Sequence, residues 1–227
     1  MLGGMAFPGL GPLWLTVKLG LITVAVLIVV ATPLAWWLSR TSSRGKSAIE
    51  AIVALPIVLP PTVIGFYLLI LLGPNGAIGK HWVSLTGETL TFSFPGLVIA
   101  SVIYSLPFVV QPLQNGFEAL GRGFMEAAQT LGARPLDAFF SVAVPLAARG
   151  YLTAMVMGFA HTLGEFGVVL MVGGNIPGQT RVISIAIYDH VESLNYGVAH
   201  QLSAILLIFA FLCLMLLYVI NRRWRHD

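Results

Sequence analysis

Charge is what this sequence has least of. Only 9% of its 227 residues are Asp, Glu, Lys or Arg, against a hydrophobic share of 57%. A soluble domain carries roughly a quarter charged residues. So few charges cannot cover a water-facing surface, and the solvent for most of the chain is lipid. Cysteine is nearly absent. Cys213 is the single one, which excludes an internal disulfide and a cysteine-built zinc site. It sits in an apolar run, as a small packing residue would. No Gly-x-x-x-x-Gly-Lys-Ser/Thr loop is present, so the chain cannot hydrolyse ATP alone. Gly-x-Ser-x-Gly and His-Glu-x-x-His are also missing. His161 and Glu165 stand four apart with no second ligand nearby, which argues against an intramembrane hydrolase built from Ser101, Ser105, His161 and Glu165. Nothing repeats internally, and buried charges are too few for the usual secondary transporter.

What the chain does have is length in its apolar runs. Five stretches, 12–38, 48–72, 95–113, 146–172 and 199–220, are each long enough to cross ~30 Å of hydrocarbon at ~1.5 Å per residue. The first run, from Trp14 to Leu38, is about 25 residues, too long for a signal-peptide core and suited to a spanning helix. Pro33, Pro56, Pro60, Pro61, Gly65, Pro107, Gly158, Gly164 and Gly167 fall inside these runs. Membrane helices tolerate them where neighbours re-satisfy the freed backbone groups. The 56–61 stretch leaves a broken helix as open as a continuous one. The expectation is one all-α, polytopic domain, 1–227, with about five transmembrane helices.

The net charge of +3 is placed, not spread. Arg40, Arg44 and Lys46 lie between the first two runs. Arg122, Arg134 and Arg149 flank the connection between the third and fourth. Arg222, Arg223 and Arg225 follow the fifth. With five spans all nine share one side, against Lys80 and Arg181, with Lys18 near the outer end of the first span. The positive-inside rule puts the N-terminus outside and the C-terminus in the cytoplasm. The charge is topogenic, which removes nucleic acid as a partner and leaves the bilayer.

The connection 117–145 reads FEALGRGFMEAAQTLGARPLDAFFSVAVP. It is too polar to span and too patterned for a plain loop. Phe117, Leu120, Phe124, Ala127, Ala128 and Leu131 recur at helical spacing. Gly132 sits where a helix C-cap would place it, and Pro135 suits the first turn of a second helix. The spacing predicts two short helices meeting at a tight turn on the cytoplasmic side.

Glu126-Ala127-Ala128, then Gly132, then Pro145 resembles the EAA signature of ABC importer permeases. LPIVLPPTVIGFYLLILLGPNGAIG (55–79), SLPFVVQPLQNGFEAL (105–120) and GEFGVVLMVGGNIPGQTRVISIAIYDHV (164–191) extend the likeness over nearly the whole chain. The wording is similar to the molybdate branch of that family, with sulfate permeases alike over the same region. The resemblance implies a coupling loop, about 117–146, seated in a groove of a separate ATPase subunit. It implies two ATPase chains that bind ATP and Mg, a second copy of this chain, and an external molybdate-binding protein. It implies a bacterial inner-membrane location and no cofactor on this chain. Molybdate is the expected cargo, tungstate being nearly the same size and charge, with sulfate or thiosulfate as the alternative.

Lys and Arg are absent from the centres of the five runs. A dianion crossing there would meet helix N-termini, backbone N–H groups and hydroxyls such as Thr62, Ser101, Ser105, Thr153 and Thr162. That predicts a weak site or none, with selectivity in the binding protein. Pro60, Pro61, Thr62 and Gly65, with Ser105 and Pro107, are the gate candidates. Glu165 is the one carboxylate well inside a predicted span. Lining an anion path it would repel the cargo, so a structural role is expected, fixing the outer end of the fourth helix with His161 four residues back as partner. Gly173 to Gly178 is a turn-rich external loop, a contact for the binding protein.

Overall fold

The computed structural model describes residues 10–121 and 123–223; Arg122 and Arg225 of the nine inner-side charges lie outside them. Every regular element among the described residues is helical. α1 (Gly11–Arg40) enters with Pro12 in its first turn, where a missing N–H is harmless. α2 (Lys46–Val58) and α3 (Pro61–Leu72) are bent by 110° against each other. The cause is local. Pro60 holds Leu59 in an extended conformation, and Pro61 starts a new helix. The second apolar run is therefore a broken span.

A short amphipathic helix, α4 (Gly79–Thr86), leads to the long α5 (Phe94–Ala119), whose N-cap Ser93 accepts a hydrogen bond from the Gly96 N–H. The cytoplasmic connection holds α6 (Gly123–Thr130), α7 (Pro135–Ala138), a π-helical stretch (Phe139–Ala143) and α8 (Val144–Leu146). α9 (Ala148–Gly164) and α10 (Gly167–Gly173) are separated by Glu165 and Phe166. The predicted fourth span, 146–172, is thus not one helix: Glu165 turns to extended backbone and ends α9. α11 (Ile183–Glu192) and α12 (Tyr196–Arg223) complete the chain. Three helices, α1, α5 and α12, are each long and apolar enough to cross a membrane. By length and composition the pair α2–α3 would make a fourth span if taken as one broken helix, and α9 a fifth, the 70° bend before it setting Pro135–Leu146 apart as connection.

The main core lies between α1, α5 and α9, where Leu27, Ala31, Ala35 and Leu38 meet Val109, Val110, Leu113, Phe117 and Ala154. Glycines let these helices approach. A Cβ on Gly158 would fall 2.6 Å from Val109, and one on Gly116 3.2 Å from the Gly150 backbone. A second core joins Ile64, Leu68 and Leu72 of α3 to Ala100, Val168 and Val172. At the outer end the Thr16 hydroxyl of α1 accepts from the Ile183 N–H at 2.8 Å, capping α11. α12 stands at the periphery, with 6% of its apolar window buried.

Candidate functional site

The loop of α6 to α8 follows the predicted pair of short helices at a tight turn, with one change at its start. Phe117 lies in the last turn of α5, which runs to Ala119, and the chain turns at Leu120 and Gly121 (φ 63°) before α6 begins. Gly132 has φ 88°. Its N–H bonds the Gln129 carbonyl at 2.9 Å, and the Ala133 N–H bonds the Ala128 carbonyl at 3.0 Å. This is a Schellman cap, which needs a residue at ease in the left-handed region. Pro135 opens α7 as expected. The Val144 N–H reaches back five residues to the Phe139 carbonyl, a widened turn that accommodates Pro145.

One side of the loop is anchored. Met125, Ala138 and Ala143 are buried against Trp36 and Phe139, and the Trp36 ring lies 4.9 Å from Phe139 and 5.1 Å from Phe117. The other side is bare. Glu126, Ala127, Gly132 and Pro145 are exposed and Ala128 half-buried, while Leu131 and Leu136 are 89% and 71% exposed. Of the repeating apolar residues, Phe124, Ala127 and Leu131 face away from the chain's own bundle, Phe117, Leu120 and Ala128 pack into it, and Met125 supplies a further inward anchor.

Glu165 is 3% exposed. Its Oε2 accepts from Ser101 Oγ at 2.5 Å and its Oε1 from Ser105 Oγ at 3.0 Å. Ser184 donates to the Glu165 carbonyl oxygen at 2.5 Å. His161 Nδ1 is 3.7 Å from Oε1 but 2.9 Å from Ser105 Oγ. The predicted partner therefore acts through a serine. With the Ser105 proton given to the carboxylate, the imidazole tautomer that carries its proton on Nδ1 completes the relay. Phe108 stacks on the imidazole at 3.8 Å. Ser101 and Ser105, one helical turn apart on α5, were visible as hydroxyls. Their pairing with Glu165 required the α5–α9 crossing.

The broken spans meet at this cluster. A Cβ on Gly167 would lie 2.8 Å from Pro61 Cβ, and one on Gly65 2.8 Å from Met171 Cβ, so α3 and α10 nearly touch backbone to backbone. Beside them is a cavity of about 510 Å³ lined by Pro61, Thr62, Tyr104, His161 and Glu165. Pro60 is exposed at the break, Ser105 belongs to the carboxylate cluster, and Gly65 and Pro107 are buried packing positions outside this cavity's lining.

From this cavity a polar strip runs towards the α6–α8 loop. On α5 it comprises Tyr104, Phe108, Gln111 and Asn115; on α9, His161, Met157, Thr153 and Arg149. Each set recurs every three or four residues and so shares one helix face. None of the eight is buried. The strip ends in a cleft of about 500 Å³ lined by Pro112, Asn115, Gly116, Arg149, Gly150 and Thr153. Gln111 and Asn115 were not singled out from the sequence, although two amides one turn apart in an apolar helix are a readable signal. Outside, Asn175 is tied down by Arg181 Nε at 2.5 Å, and Arg181 lies 3.6 Å from Asp189, so the 173–178 loop is pinned to α11.

A bundle with broken spans, an exposed coupling-type loop and a polar seam defines a transport permease. Residues 14–226 match the family described as binding-protein-dependent transport system inner membrane component, and the chain belongs to that family. Within it, the chain is 58% identical over 208 residues to the molybdenum transport system permease protein ModB of Azotobacter vinelandii, covering 92% of each. It is 33% identical over 188 residues to the sulfate transport system permease protein CysT of Escherichia coli (strain K12), covering 83% of this chain and 66% of that one. The fold is shared with a bacterial alginate ABC transporter solved with a pentasaccharide-bound periplasmic protein, at TM-score 0.74 and 16% identity over 94% of this chain and 78% of that one. It is shared too with the inward-facing MetNI methionine ABC transporter, at TM-score 0.68 and 17% identity over 93% and 94%.

Proposed function

We propose that this chain is the membrane subunit of an ATP-driven importer and carries molybdate released by an external binding protein. The observation that carries the transport reading is the loop of α6 to α8, which presents Glu126, Ala127, Gly132, Leu131 and Leu136 away from its own bundle. Exposed leucines on a segment anchored from behind suit a groove in a partner, here an ATPase subunit that supplies the ATP and Mg site. The choice of molybdate is supported by the 58% identical relative.

The engine in this reading has two copies of the chain and two ATPases, since two ATP sites closing on each other call for twofold symmetry. The N-terminus is outside and the C-terminus in the cytoplasm. The polar strip of α5 and α9 faces the second copy across a water-filled path, because lipid would not solvate amides and a guanidinium. Glu165, tied to Ser101 and Ser105, holds the break between α9 and α10 and does not touch the cargo. Closure of the ATPase dimer moves the loop, and the loop moves the bundle through Trp36 and Phe139, a gating motion of packed helices.

The test is ATP-driven uptake in proteoliposomes holding this chain, its co-purified ATPase and loaded binding protein. Labelled molybdate should accumulate, with sulfate competing weakly. Sulfate uptake at an equal rate would keep the machine and change the cargo. Absence of ATP-dependent uptake of either, with no ATPase co-purifying, would defeat the reading.

A further inference from the structure

We propose that Arg149, with Asn115 and Thr153 beside it, is the last protein contact of the transported oxyanion before the cytoplasm. This rests on the pathway reading above and adds to it a residue and a charge. Arg149 lines the cleft where the α5–α9 strip ends at the loop side of the bundle. Among the described residues its guanidinium has no carboxylate within ion-pair distance. Lys46, by contrast, lies 3.7 Å from Glu50 and 3.5 Å from Glu118, and Arg40 is stacked on Trp36. Arg149 therefore keeps its charge for a mobile ion.

The cleft floor is the crossing of Gly116 and Gly150, where a Cβ on either would press on the other's backbone at 3.2–3.3 Å. Asn115 also lines the neighbouring cleft that holds Glu50 and Gln114. In that cleft Glu50 is already engaged by Lys46 at 3.7 Å and Gln114 at 2.8 Å, which leaves Arg149 as the cation facing the end of the strip. The planar guanidinium offers two parallel N–H donors to an oxyanion edge, with the Asn115 amide as a neutral donor, while Thr153 gives its hydroxyl proton to the Arg149 carbonyl at 2.9 Å and so steadies the first turn behind the guanidinium. Arg149 is exposed, so solvent screens the attraction. That suits an exit, where an ion must be drawn in yet leave.

The experiment uses the complete reconstituted transporter. Arg149→Gln should lower the molybdate uptake rate about tenfold, the loss of a local charge that concentrates the ion. The half-saturating concentration of loaded binding protein and the amount of co-purified ATPase should stay unchanged. Arg149→Lys should keep most of the rate. On a Cys213→Ala background, Arg149→Cys should regain uptake after modification with a cationic trimethylammonium thiosulfonate and not with an anionic sulfonate one. Wild-type uptake alongside full-rate uptake by Arg149→Gln would overturn the proposal. So would loss of ATPase from the Arg149→Gln complex, which would make Arg149 a docking residue. A defect that grows with the anionic-lipid content of the vesicles would make it a headgroup anchor instead and equally overturn the proposal. If the wild type itself takes up no molybdate, the pathway reading fails and this inference with it.

Discussion

Glu165 shows what a single carboxylate needs in order to sit inside an apolar bundle. A buried polar group without partners is expensive, and here two serine hydroxyls and a histidine relay meet that need. Glu165→Ala removes the shared acceptor and strands Ser101 and Ser105, a loss of about 1–3 kcal/mol. Thermal unfolding of the detergent-purified chain should show it as a lowered midpoint. Glu165→Gln keeps one carbonyl oxygen for one serine and should lose less. Equal midpoints for wild type and Glu165→Ala would mean that the cluster does not hold the break. The importance of Glu165 was legible in the sequence from its position alone. Its true partners were not, because a carboxylate on one helix and two serines sixty residues earlier are joined only by the packing of α5 on α9.

At the scale of elements, the coupling loop was the most readable part of the chain. Helical spacing, Gly132 and Pro135 act locally, so the turn they specify appears where they predict it. The break at Pro60–Pro61 was half legible, since two prolines announce a stop but not a direction. The break at Glu165–Phe166 was illegible. Gly164 and Gly167 are common inside membrane helices, and hydropathy is blind to a change of axis. Gly132→Val would force a β-branched residue into the left-handed region at a penalty of about 1–2 kcal/mol, breaking the Schellman cap. The expected result is an assembled complex whose ATP hydrolysis no longer drives uptake, read as phosphate released per molybdate imported. Leu131→Glu places a charge on the bare side of the loop and touches no buried residue of this chain. It should abolish co-purification of the ATPase while leaving the yield of the permease unaltered. Retained co-purification would place the docking surface elsewhere.

For the whole molecule, the arrangement of charge and of the α5–α9 strip makes a claim about sides. Cysteines placed singly at Thr62 and Asn115, on the Cys213→Ala background, should differ in accessibility in sealed right-side-out vesicles. The Thr62 position should react with an impermeant thiol reagent added outside. The Asn115 position should react only after the vesicles are opened. The reverse pattern would invert the topology. Run lengths and arginines predict about five spans and a sidedness, because bilayer thickness and the positive-inside rule act on the chain as a whole, and the fold offers three to five candidate spans. Which helices meet could not be inferred, since apolar runs are nearly interchangeable until glycines such as Gly116, Gly150 and Gly158 decide who comes closest.

One helix reaches both working ends of this molecule. α1 seats the first turn of α11 through Thr16 at its outer end and grips the loop through Trp36 at its inner end. Twenty residues of helix separate them, about 30 Å of rod, with the hydrogen-bond ladder interrupted at Pro33. Such a rod carries torque as well as thrust, so the two grips are phased like cams on one shaft. One inserted residue between them would lengthen the rod by only about 1.5 Å but rotate one grip by about 100° against the other. Timing between the outer and inner faces would then fail through angle, with every contact at each face still available to be made.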